Sequence, residues 1–362
     1  MSSRPERTHV SGEQLQLVAV DSPGDVTGAA LDRLGVRVGL SGALQALDRE
    51  ARATTGLRGT PGFTWDRADA SDRNWWPQGL TTSADAVAIA GRPWSCDRQV
   101  VLSAWYAKQA EESGAATRIS VVDLDTGRGR PRYAHALLVA PYRDKPSDAL
   151  RHRPVRVHAG GLAWCGNRLL VADTRRGVRV FDLDDLVRLR SGAAQPRGFG
   201  FALPQCGLWR AGAQGDSRPL RWSYLSLDRT EQGALSLVAG EYVRGGEGSR
   251  LARFALDPGT GLLLPTPAVE VVRTDLGSMQ GAVCVDGTYV VSASSGALRR
   301  GHLWTGKAGG PWTKHARELP VGPEDLSYDP ATGRLWTQTE YPYRRSVVSL
   351  PLAPLVSPGA RR

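Results

Sequence analysis

Residues able to move protons sit at matching places along this chain. His158 lies in VHAGG, Glu324 and Asp325 are adjacent in VGPEDL, and Gln78 and Gln280 hold equivalent places in NWWPQG and LGSMQG. Two neighbouring carboxylates at a narrow mouth need a cation, an arginine or a shared proton, because each opposes ionisation of the other. A histidine across from them completes the minimum apparatus for proton transfer near neutral pH. The expected roles are His158 as base, with Glu324 or Asp325 as acid or orienting partner. Gln78, Met279 and Gln280 would contact the substrate, and Trp75 or Trp76 would cover it. The structural alternative is a histidine that only satisfies backbone groups and polar residues that only punctuate strand starts.

Arginine carries a second pattern. Arg175 with Arg176, Arg299 with Arg300, and Arg344 with Arg345 recur in the same kind of hairpin. Net charge over the 362 residues is +10, and only Lys108, Lys145, Lys307 and Lys314 are lysine. Heavy Arg, Ala and Gly usage resembles the coding bias of a high-GC actinomycete, which accounts for arginine over lysine but not for the positive excess. The pairs read either as solvated hairpins or as a rim that steers a small, anionic ligand. No basic tract is interleaved with aromatics, so nucleic acid is not expected as a partner.

Several chemistries lose their support. There is no G-x-S-x-G, phosphate-loop or H-E-x-x-H motif, and no G-x-G-x-x-G after a strand. Cys96, Cys165, Cys206 and Cys284 are far apart with no C-x-x-C pair, so reduced thiols are expected and no metal ligand is assigned. No cofactor is expected, with a calcium ion left open. The longest apolar runs, such as ALLVA at 136–140, fall far short of a membrane span, and no membrane partner is expected. The start lacks an apolar stretch of signal-peptide length, so the expected location is cytoplasmic, or secreted where a leader has been removed.

The elements that position these residues are copies of one hairpin. HAGGLAWCGNRLLVADTRRG at 158–177 and GSMQGAVCVDGTYVVSASSG at 277–296 share a pattern that returns at 323–350, at 77–86 with the strands after it, and more loosely at 221–242. Anchored on Leu80, Leu162, Leu225, Ala282 and Leu326, the copies are 82, 63, 57 and 44 residues apart, the first interval stretched by a loop at 142–157. Short β-branched runs with Gly, Asp and Pro turns continue each copy to three or four strands. That is the blade of an all-β propeller, with five blades expected and six the alternative. Consecutive antiparallel strands reverse direction, so the loops leading into first strands share a face with the arginine hairpins.

The expected division is an N-terminal segment over 1–75, the propeller over 76–352 and a tail over 353–362. The last blade lacks a strand, which QLQLVAV at 14–20 or GFTW at 62–65 would supply. Between those candidates, SGALQALDREARATTG at 41–56 reads as an amphipathic helix capped by Ser41 and stopped by Gly56.

GPEDLSYDPATGRLW at 322–336 resembles the start of a blade in the gluconolactonase and strictosidine-synthase-like propellers. That resemblance implies six blades, lactone or ester hydrolysis, and Glu324 in the place of a calcium-binding glutamate. The family's site also uses asparagines, whereas this chain has only Asn74 and Asn167. Five-bladed glycosidases are a second likeness, and here Asp173, Glu241 and Glu340 join Glu324 and Asp325 as candidate carboxylates. The function expected is a hydrolase, lyase or isomerase acting on a small polar or anionic molecule. The competing class is a non-catalytic propeller that binds a sugar, peptide or protein through the same face.

Overall fold

The computed structural model describes residues 8–20, 29–86, 98–109, 116–126, 130–145, 147, 150–190, 199–231 and 234–356. Five strands, Trp75–Thr82, Leu162–Cys165, Tyr224–Glu231, Met279–Val285 and Pro323–Asp329, each begin a unit of antiparallel strands. These inner strands meet in a cycle in which each touches the next and the last touches the first. The sheets stand outward from that cycle, so the molecule is an all-β propeller.

Apolar clusters fill the gaps between neighbouring units. Leu102, Ile119 and Val121 face Trp164, Leu169 and Phe181 across one gap, and Leu170 and Val178 face Leu225 and Leu237 across the next. Two further gaps hold Tyr224 and Val238 against Met279 and Val291, and Val283 and Leu303 against Leu326 and Leu335. A fifth cluster sets Trp336 and Val347 of the last unit against Leu80, Trp105 and Val122 of the first. Removing these faces from water, at about 25 cal/mol per Å² of apolar area, is what holds the units in a ring. Cys165 and Cys284 belong to this packing, while Cys96 lies outside the described residues.

Hairpin turns follow from local chemistry. Asp286 and Gly287, between Met279–Val285 and Thr288–Ala293, both have positive φ, at 48° and 71°. A two-residue turn of that hand matches the twist of the strands it joins.

The N-terminal segment closes the last unit. Pro61–Thr64 pairs with Val347–Pro351, and Arg52–Thr55 pairs in turn with Pro61–Thr64. Of the two candidates, GFTW is therefore the closing stretch, whereas Leu15–Val20 pairs with the long strand Phe201–Ala213 of the second unit. The helix expected over 41–56 is largely replaced: helix spans only Gly39–Leu44, with Ser41 inside it, and Arg49–Glu50 and Arg52–Thr55 are strands. Arg49–Glu50 pairs instead with Arg132–Arg143 and Arg52–Thr55 with Pro61–Thr64, so tertiary pairing overrides a weak helical propensity. The stretch expected as a loop at 142–157 also pairs, since Leu150–Pro154 runs back along Arg132–Arg143. Among the described residues no helix is long and apolar enough to cross a membrane.

Candidate functional site

The inner strands deliver their side chains through irregularities. Register shifts fall between Pro77 and Leu80, between Met279 and Gly281, and between Pro323 and Leu326. Gln78, Gln280 and Glu324 sit at those three shifts. A bulge bends the strand and re-aims the side chain next to it, which here turns three polar groups toward one end of the ring axis. Ser278, with φ of 55°, and Gly322, with φ of 67°, set the chain direction just before two of these strands.

Directly beneath, the strands crowd the axis. A Cβ on Gly161 would stand 2.0 Å from the Leu225 nitrogen, and one on Gly281 would stand 2.6 Å from the Leu326 nitrogen. Asp325 holds the equivalent place in its own strand. Its Oδ2 accepts hydrogen bonds from the Leu80 nitrogen at 3.1 Å and the Leu162 nitrogen at 3.0 Å. Asp325 therefore ties three units together below the mouth, and it does not line the cavity, contrary to its expected place beside the substrate. Burial, only partly offset by those N–H groups, pushes its pKa well above the carboxylate range.

Above this layer opens a cavity of about 810 Å³, lined at its floor by Gln78, Gln280, Glu324 and Glu340 and at its wall by His158, Ser223, Ser278 and Ser294. Tyr242, Tyr341, Arg175, Arg221 and Arg244 complete the rim. Glu324 is 1% exposed, and its Oε1 accepts from Gln280 Nε2 at 3.0 Å. Burial first, then Glu340 and Asp325, raises its pKa well above the usual value. Glu340 is held by Gln78 Nε2 at 3.2 Å and by the Tyr341 side chain. Its pKa is also raised by burial, with Tyr341, Gln78, Lys108 and Arg345 pulling the other way.

The other candidate carboxylates are neutralised. Asp173 pairs with Arg179 at 2.8 Å, and Glu241 pairs with Arg250 at 2.7 Å. Glu324 and Glu340 form no salt bridge among the described residues, and no group of three or more His, Cys, Asp or Glu is placed there to hold a metal ion.

His158 lines the wall, its ring 4.5 Å from that of Tyr106. It is exposed toward the cavity and packed against protein on its other side. Desolvation, then Lys108, pushes its pKa down to about 4, so the ring is neutral at neutral pH. No hydrogen bond links His158 to Glu324; the partner of Glu324 is Gln280.

Several expected contacts lie elsewhere. Trp75 is buried against Phe199 and under the Arg118 guanidinium, and Met279 is buried with Tyr224 in the inter-unit core. Both occupy the inward face of a strand, opposite the one turned to the mouth. Trp76 stands behind Tyr341 with Lys108 Nζ 3.0 Å over its ring, so it backs the wall without lining it. The arginine pairs split. Arg175 reaches the cavity, Arg176 a neighbouring basic pocket, and Arg299 and Arg300 a third. Arg344 is exposed and bonds the Ala297 carbonyl, while Arg345 is buried between strands and donates to the carbonyls of Glu340 and Asp69. Tyr341, Arg221, Tyr242 and Arg244 were not singled out. Tyr341, Tyr242 and Arg244 follow second strands, the same topological place as the arginine hairpins, and Arg221 lies in the loop that leads into the inner strand Tyr224–Glu231, so that parity was the available signal.

No protein-family model matches the chain, and no curated protein matches it. Solved structures similar to it include a GH43 enzyme from Xanthomonas citri complexed with xylose, at 14% identity and TM-score 0.38, covering 89% of this chain and 91% of that one. The α-L-arabinofuranosidase Arb93A from Fusarium graminearum is similar at 12% identity and TM-score 0.37, covering 96% and 100%. The Cps50 β-propeller domain of Myceliophthora thermophila follows at 10% identity and TM-score 0.35, covering 92% and 98%. Likenesses this distant say nothing of chemistry.

Proposed function

We propose that the cavity is the active site of a hydrolase that cleaves a C–O bond in an anionic substrate, with Glu324 as general acid and Glu340 as general base. The observation that carries this reading is Glu324 itself: a carboxyl at the cavity floor, nearly free of solvent, with a neutral amide as its hydrogen-bond partner and a second carboxyl as its charged neighbour. Two such groups share a proton, so one is an acid and the other a base at the same pH. The Glu324 proton passes to the leaving oxygen as its bond to carbon breaks. Glu340 takes a proton from the water whose oxygen forms the new bond to that carbon, and the pair then passes one proton back to Glu324.

Glu340 suits the base role better than His158 does. Efficient bases titrate near the working pH, and burial moves Glu340 toward it while His158 is pushed away from it. His158 then serves as a neutral wall group facing the substrate. Arg175, Arg221 and Arg244 supply the charge that attracts an anion. Gln78 and Gln280 fix the two carboxyls, so substitution of either should lower turnover through geometry.

A panel of chromogenic uronides beside their neutral sugar counterparts tests the reading. The expected result is turnover of anionic members, reduced about a hundredfold or more by Glu324→Gln and by Glu340→Gln. Tyr242, 39% exposed on the rim, favours a second reading, a binder without turnover. Anionic sugars bound by wild type with no product formed would establish it.

A further inference from the structure

The cavity does not end at its rim. Arg175 also lines a pocket of about 470 Å³ shared with Arg153, Arg156 and Arg176, and Ser295 also lines a pocket of about 790 Å³ shared with Arg299, Arg300 and Arg317. Each flanking recess thus shares a wall residue with the cavity whose floor carries Glu324 and Glu340. In the first flanking pocket Asp173 is neutralised by Arg179, while Arg176 and Arg153 oppose the Arg179 charge. None of the six other flanking arginines pairs with a carboxylate among the described residues. An array of like charges without counter-ions raises the local potential and draws in an anion.

Resting on the hydrolase reading above, we propose that the substrate is a chain, an acidic polysaccharide whose sugars carry carboxylates, laid across all three recesses with its cut bond over Glu324 and Glu340. Among the described residues neither flanking pocket is lined by a Phe, Tyr or Trp, whereas a single-stranded nucleic acid is held on aromatic faces as well as by charge. Two carboxyls at the centre would also repel a phosphate, whereas a polysaccharide can place a glycosidic oxygen there and its acid groups over the arginines. Charge on both sides of the centre calls for acid groups on both sides of the cut.

The test is calorimetric binding of galacturonate oligomers, from dimer to octamer, to the Glu324→Gln variant, so that cleavage does not intervene. Affinity should rise about tenfold or more from dimer to octamer as the flanking recesses fill. A triple Arg299→Gln, Arg300→Gln, Arg317→Gln variant and a triple Arg153→Gln, Arg156→Gln, Arg176→Gln variant should each lose part of that gain. Affinity that does not grow with length overturns the proposal. So does equal binding of the methyl-esterified octamer, of polyphosphate or of a single-stranded oligonucleotide. Length-dependent binding of an octamer that wild type leaves uncut would support the track while removing the hydrolase reading.

Discussion

Glu324 keeps its proton because burial, then Glu340 and Asp325, disfavour its charge, and its one hydrogen-bond donor is the neutral Gln280 amide. In the unfolded chain the same group ionises at its ordinary value. The folded state therefore binds more protons between the two values, and stability falls as pH rises through that window. Glu324→Gln removes this share: the variant should match wild type in urea unfolding at about pH 4 and exceed it at about pH 8, while losing turnover. Asp325 should behave in the opposite way. Asp325→Ala strips the acceptor from the Leu80 and Leu162 nitrogens, each orphaned group costing about 1–3 kcal/mol. A lower thermal midpoint, with a loss of kcat in the folded fraction far smaller than that of Glu324→Gln, would mark Asp325 as a ring tie. The sequence placed Glu324 and Asp325 side by side but could not separate them, since alternation of faces in a strand is broken at a bulge.

At the level of strands, PQGL, MQGA and PEDL were legible as one repeated motif, and the structure gives it a cause in the three register shifts. The glycine in MQGA leaves room for the next inner strand. Gly281→Ala would press a Cβ to 2.6 Å from the Leu326 nitrogen, so it should destabilise by about 1–3 kcal/mol and lower kcat by displacing Glu324 and Gln280. Thermal unfolding and turnover, measured on one preparation, check both. The helix expected over 41–56 failed for a reason outside its own residues. Its apolar spacing was real, but the edge awaiting Arg49–Glu50 lies far along the chain, at Arg132–Arg143, and Arg52–Thr55 turns back on Pro61–Thr64, itself drawn onto the last unit.

Over the whole molecule, the recurring hairpin made the propeller legible, and the missing strand of the last unit pointed to the N-terminal segment. Which stretch would close it was not legible, because QLQLVAV and GFTW both read as strands. Phe63, fully buried at that seam, should be costly to truncate: Phe63→Ala is expected to lose about 3–5 kcal/mol in urea unfolding. Val18, 53% exposed on the outer strand Leu15–Val20, should tolerate Ala within about 0.5 kcal/mol. The arginine hairpins were legible as a face but not as separate pockets, since side-chain reach depends on what each hairpin packs against. Arg345 shows this most clearly, being drawn inward to carbonyls while Arg344 beside it stays in solvent.

All of the proposed chemistry depends on a protonated carboxyl at the cavity floor at neutral pH. Infrared difference spectroscopy of wild type against Glu324→Gln at about pH 7 reads that proton through the carbonyl stretch of an un-ionised carboxyl. The band should be present in wild type and absent from the difference partner. A difference spectrum showing only the loss of an ionised carboxylate would contradict the assignment of Glu324 as the acid.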